Sequence, residues 1–201
     1  MFDSHLRPLI DPPLNQIGKA LARLGLGANA VTLIGLGFGL MAAIMISVGL
    51  SHLALIPLLI GRLADGLDGA VARHRGKTDF GGYLDLFCDF ILYGAVPLAF
   101  AVLDPGKNAL AAAFLLMSFY VNAASFLGFA IMAEKQGLTT TAQGQKSLYY
   151  ASGLLEGFET IVFFVILCLW PAIFAPAAWV FGALCGVTAG ARLLWARSVL
   201  R

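Results

Sequence analysis

Six apolar stretches, near 30–50, 53–75, 82–103, 108–134, 146–170 and 172–196, take up most of this chain. As helices rising 1.5 Å per residue, each is long enough to cross a hydrocarbon layer of ~30 Å. Only helices and closed barrels satisfy their backbone in lipid, and stretches of this length and continuity read as helices. The second and third are weakened by aspartates but keep helical spacing. Composition points the same way. Hydrophobic residues make up 60% of the chain and charged residues 12%, against roughly 25% charged in soluble domains. So few charges cannot cover the outside of a soluble domain of this size. The expected fold is all-α: a polytopic membrane bundle of six transmembrane helices.

Basic residues orient the bundle. Arg7, Lys19 and Arg23 precede the first span, and Arg73, Arg75 and Lys77 follow the second. Lys135 and Lys146 follow the fourth, and Arg192, Arg197 and Arg201 lie in the last span and tail. Lys107 stands alone on the other side, and Arg62 lies inside a span. Both termini and the aspartate-bearing helix ends should therefore face the cytoplasm. Residues 1–27 lack the apolar core and cleavage site of a signal peptide. After a break at Pro12-Pro13, the residues Leu14, Ile17, Leu21 and Leu24 fall at helical spacing, with Lys19 and Arg23 off that stripe. This predicts an interfacial amphipathic helix on the cytoplasmic surface, followed by a six-helix transmembrane domain over 28–201. Cys88, Cys168 and Cys185 sit within predicted spans without a CxxC pattern and read as buried apolar residues.

The stretch DGLDGAVARHRGKTDFGGYLDLFCD, from Asp65 to Asp89, carries the chemistry. A carboxylate at bilayer depth costs ~2.5–3.5 kcal/mol on insertion scales, so it usually lines a functional cavity. Asp65 and Asp68 share one helix face, as do Asp85 and Asp89 on the next helix. The basic, glycine-rich turn between them makes the two helices an antiparallel hairpin. Counted from that turn, Asp68 and Asp85 lie shallow, with Asp65 and Asp89 about one turn deeper. The carboxylates can converge, and such hard oxygen donors suit Mg²⁺ or Mn²⁺ shared with substrate phosphates. Two ions clamping a diphosphate would serve phosphoryl transfer. Gly66, Gly69, Gly81 and Gly82 leave room for a ligand near the backbone or for close helix packing. Thr78 offers a hydroxyl and Arg73 a charged fork for phosphate.

Asp65, Asp68, Gly69, Ala72, Arg73, Gly82, Asp85 and Asp89, at these spacings, resemble the complete signature of the CDP-alcohol phosphotransferase family. The likeness extends loosely to the whole chain, and to the family's small bacterial integral membrane branch. Asn29 and Thr32, entering the first span, resemble a recurrent family feature, although Ala28 stands where a proline often precedes the asparagine. The resemblance implies a bacterial inner-membrane enzyme of phospholipid biosynthesis. It would transfer a phosphatidyl group from CDP-diacylglycerol to the hydroxyl of a small alcohol and release CMP. It further implies two divalent cations on Asp65, Asp68, Asp85 and Asp89, with Asp89 as general base. Asn29, Thr32, Asp65, Asp68, Gly69, Ala72, Arg73, Thr78 and Gly82 would bind the CDP part. The implied partners are these substrates, membrane lipids and a second copy in a homodimer, with no nucleic acid.

The signature is silent on the acceptor. Lys135, Lys146 and Arg192 could bind a phosphorylated polyol such as glycerol 3-phosphate or inositol phosphate. Glu156 lies ~15 Å deeper than Lys146 along a helix, at about the depth of the aspartates, with Glu159 one turn on. These glutamates could bind a polyol, accept an amino alcohol of the serine, choline or ethanolamine type, or pair with Arg62 or Arg192. A transporter with an acidic permeation site is the alternative class. Inverted repeats and broken helices expected of one are not found in the sequence.

Overall fold

The computed structural model describes the backbone of residues 3–137 and 157–200, with side chains from residue 12 onward. Every regular element among them is helical. In chain order these are α1 (Asp3–Arg23), α2 (Ala28–Ser47), α3 (Ser51–Arg75), α4 (Asp79–Leu103) and α5 (Pro105–Lys135). They are followed by α6, described over Gly157–Leu169, a 3₁₀ turn at Pro171–Ile173, and α7 (Phe174–Val199).

The breaks between helices have local causes. Gly49 and Gly76 take φ of 85° and 102°, a left-handed region that side chains rarely tolerate, and end α2 and α3. Thr78 caps α4, its Oγ1 accepting from the Gly81 amide at 3.0 Å. Asp104 caps α5 in the same way through the Lys107 amide at 3.2 Å, with Pro105 opening the helix. Pro57 and Pro97 lie inside α3 and α4 without ending them. Pro12-Pro13 is no break either, because α1 continues through both. Proline removes a backbone donor and bends a helix without always terminating it.

Among the described residues four helices are long and apolar enough to cross a membrane: α2, α4, α5 and the Pro171–Val199 segment. The third helix, α3, carries Arg62, Asp65, Asp68, Arg73 and Arg75 and falls short by charge. The described part of α6 falls short by length, at 13 residues. Large apolar side chains such as Ile44, Ile56, Leu98 and Leu110 remain exposed on the outer faces, as a lipid-facing surface requires.

The described residues pack into one large core and two smaller clusters. The larger core joins the ends of α2, α3, α4 and α5 remote from the basic turn to α6 and the start of α7. There Phe100 stacks on Phe174 with centroids 4.6 Å apart, and Phe163 on Phe181 at 4.1 Å. A smaller cluster of Val31, Ala64 and Val71 underlies the opposite half, where α1 contributes Leu21 and Ala22. Part of the N-terminal apolar stripe is thus used inside the protein. Leu14 is buried and Gly18 meets Ala70 of α3, whereas Ile17 and Leu24 stay exposed.

Candidate active site

Two pairs of small residues make the site. A Cβ at Gly61 would lie 2.9 Å from the carbonyl oxygen of Gly35, and one at Gly35 would lie 3.1 Å from the Ala64 Cβ. Glycine at both positions lets α2 and α3 touch backbone to backbone, as in small-residue packing within membranes. That approach brings Thr32 of α2 against Asp68 of α3. The Thr32 hydroxyl lies 2.5 Å from Asp68 Oδ2 and 3.1 Å from the Ala28 carbonyl. Asp68 is buried, so a donated hydrogen bond offsets much of the desolvation it incurs.

The α3–α4 hairpin supplies the remaining carboxylates. Thr32, Arg62, Asp65, Asp68, Cys88 and Asp89 border one small pocket. Arg62 links two of the carboxylates: Nη2 donates to Asp65 Oδ2 at 2.5 Å, and Nη1 donates to Asp89 Oδ1 at 2.8 Å. Asp85 lies within hydrogen-bonding reach of Asp65. The donor set is made of carboxylate oxygens on facing helices, which fits a hard divalent cation. Among the described residues no three potential ligands already close around one point, and the Arg62 guanidinium stands between Asp65 and Asp89. The spacing in the sequence signals the carboxylates. It also puts Arg62 one turn from Asp65, the clue that could have identified this pair.

The expected nucleotide residues divide. Asn29 approaches the turn side of the site, its Oδ1 3.2 Å from where a Gly81 Cβ would stand. Around Gly69 the nearest neighbour of a Cβ would be Arg73 Nη1, at 3.6 Å, so the guanidinium folds back over that glycine. Arg73 is exposed, and its Nε donates to Asn15 Oδ1 of α1 at 2.9 Å. That anchor, like the α1 contact itself, lies far away in sequence and carries no motif. Ala72 and Gly82 flank the hairpin turn. Gly66 serves packing, since a Cβ there would lie 3.0 Å from Leu14 of α1. The Thr78 hydroxyl is engaged as the α4 cap.

The expected acceptor residues are more scattered. Lys135 is exposed at the end of α5, and Glu159 is half-buried in the first described turn of α6. Lys146 and Glu156 lie outside the described residues. Arg192 is buried between α7 and α5, with Nη1 donating to Asn122 Oδ1 at 3.0 Å and to Ser125 Oγ at 2.6 Å. Its guanidinium carbon lies 5.7 Å from the centre of the Phe126 ring.

Comparison with known proteins gives the family. Residues 26–191 match the family model of CDP-alcohol phosphatidyltransferases. Inner membrane protein YnjF of Escherichia coli K12 is 45% identical over 193 residues, covering 96% of this chain and 94% of that protein. Archaetidylinositol phosphate synthase of Pyrococcus horikoshii is 44% identical over 87 residues, 43% of this chain and 46% of that protein. The fold resembles phosphatidylinositol phosphate synthase PgsA1 of Mycobacterium tuberculosis, solved with CDP-DAG bound. The TM-score is 0.72 at 24% identity, covering 91% of this chain and 92% of that one. The same enzyme solved with manganese and citrate gives a TM-score of 0.71 at 24% identity, covering 91% and 88%.

Proposed function

The chain belongs to the CDP-alcohol phosphatidyltransferase family, a membrane-bound transferase of phospholipid biosynthesis, and on that footing we propose its reaction in detail. The donor is CDP-diacylglycerol and the acceptor a small polar alcohol. The acceptor oxygen bonds to the lipid-side phosphorus as the bond from that phosphorus to CMP breaks. The acceptor proton passes to Asp89. Two divalent cations, Mg²⁺ or Mn²⁺, supply charge stabilisation for the diphosphate when bound, and Asp65, Asp68, Asp85 and Asp89 would hold them. Thr32 orients Asp68 by its hydrogen bond. Arg73, folded over Gly69, receives phosphate oxygens, and Asn29, Ala72, Thr78 and Gly82 border the cytidine side. The observation carrying this reading is the convergence of Thr32, Asp65, Asp68 and Asp89 on one pocket, in a chain whose family transfers phosphatidyl groups.

The acceptor favoured is a phosphorylated polyol, inositol phosphate or glycerol 3-phosphate. Two of the proteins it resembles are named as inositol phosphate lipid synthases, and Lys135, Lys146 and Arg192 are the cations suited to that phosphate. Glu159, half-buried on α6, favours the second reading, an amino-alcohol acceptor. The family match decides against a transporter. The topology that goes with this reaction has six spans, with α3 and the apolar stretch that includes α6 joining the four strongly apolar ones. Residues 1–27 form a surface segment and 28–201 the catalytic domain. Eleven of the thirteen lysines and arginines support cytoplasmic termini and a cytoplasmic site. Assembly is as a homodimer.

The acceptor is tested by incubating purified protein with CDP-diacylglycerol, Mg²⁺ or Mn²⁺ and single alcohols, reading lipid products by mass. A phosphatidyl polyol phosphate is expected. A product formed from an amino alcohol alone would overturn the assignment and shift the role to Glu159.

A further inference from the structure

Arg62 lies outside the signature positions, yet it makes the closest charged contacts in the site. Its two terminal nitrogens reach different helices, Asp65 on α3 at 2.5 Å and Asp89 on α4 at 2.8 Å. The side chain is 20% exposed, and its partners 31% and 27%. A planar guanidinium suits this two-armed grip, which a lysine cannot reproduce. Four aspartates at bilayer depth repel one another, and a buried charge without a partner is strongly destabilising. Among the described residues Arg62 is the lysine or arginine that borders the pocket, and its charge offsets one of those negative charges. The two carboxylates it holds are also ones that the proposed reaction gives to divalent cations. An oxygen donating its lone pairs to a guanidinium offers less to a metal ion.

We infer that Arg62 is a built-in counter-ion that competes with divalent cations for Asp65 and Asp89. It is a positioning residue. It keeps the two helices' carboxylates together while lowering metal affinity below what four unshielded carboxylates would give. Metal exchange is then a transfer of Asp65 and Asp89 between two positive partners, with no net exposure of bare charge. This inference rests on the metal-dependent reading of the site.

The test is Mn²⁺ binding to the full chain in detergent, followed by electron paramagnetic resonance of the free ion, for wild type, Arg62→Gln and Arg62→Lys. Losing one charge-assisted fork should tighten Mn²⁺ binding about tenfold in Arg62→Gln, with Arg62→Lys falling between. Mn²⁺ should also raise the melting temperature of Arg62→Gln more than that of wild type, because tighter binding to the folded state stabilises it more. An arginine serving only packing would leave Mn²⁺ binding unchanged or weakened on removal. Binding no tighter than wild type in either folded variant overturns the inference. If Arg62→Gln fails to fold even with Mn²⁺ present, Arg62→Lys decides alone. Wild type that binds no Mn²⁺ overturns the metal-dependent reading itself, a result distinct from wild type that binds and variants that do not tighten.

Discussion

Thr32 shows how one side chain from a neighbouring helix prepares a charged residue. Its hydroxyl donates to a buried aspartate on α3, so Asp68 borders the pocket with one oxygen already engaged. Thr32→Val preserves shape and removes only the donor. It should cost about 1–3 kcal/mol, the penalty for leaving a buried acceptor unsatisfied. The loss would be read as a lower melting temperature together with a several-fold drop in turnover. Unchanged turnover would mean that Thr32 supports the helix and not the reaction. Arg73 is prepared differently, from outside the motif. Asn15 anchors its Nε, and Nη1 lies over Gly69. At this scale the acidic residues were legible in the sequence because three- and four-residue spacing alone puts them on shared faces. Arg62 and Asn15 were not. Spacing hints only at the Arg62–Asp65 pair; the partners that complete these roles lie 27 and 58 residues away, and a single sequence carries no signal for such pairings.

The helix elements owe their arrangement to residues that are absent as side chains. Gly35 and Gly61 let α2 and α3 come into backbone contact, and Gly18 does the same for α1 and α3. Gly61→Ala would force a methyl to 2.9 Å from the Gly35 carbonyl, and backbone cannot yield as a flexible side chain would. Overpacking of this kind typically costs about 1–3 kcal/mol, and separating the helices also pulls Thr32 from Asp68. The expected result is a lower melting temperature and reduced turnover together. Full activity with only a small change in stability would show that the contact is looser than described. The α3–α4 hairpin was legible from its turn chemistry and paired aspartates. The docking of α1 was not. A stripe of Leu14, Ile17, Leu21 and Leu24 reads as membrane-surface spacing, and only the small faces of Gly18 and Gly66 divert Leu14 into the protein.

Across the whole molecule, stability and chemistry are assigned to opposite halves. Aromatic stacking at Phe100–Phe174 and Phe163–Phe181 anchors the half away from the basic turn. Charge, glycine and polar side chains concentrate in the other half. A rigid apolar base of this kind can hold costly carboxylates at depth without a large soluble domain. The membrane class was legible from apolar length alone, whereas the charges on α3 keep it out of the four described helices apolar enough to cross. The acceptor stayed illegible because its candidate residues, Lys135, Glu159 and Arg192, lie on different helices and share no spacing. The central claim is that these carboxylates run a metal-dependent phosphatidyl transfer. It is tested most directly by CMP release from radiolabelled CDP-diacylglycerol by purified protein, with Mg²⁺ or Mn²⁺ and with chelator, for wild type and Asp89→Asn. The account predicts release that requires the cation and falls at least a hundredfold in Asp89→Asn. Release that persists in chelator, or that Asp89→Asn leaves intact, would contradict it.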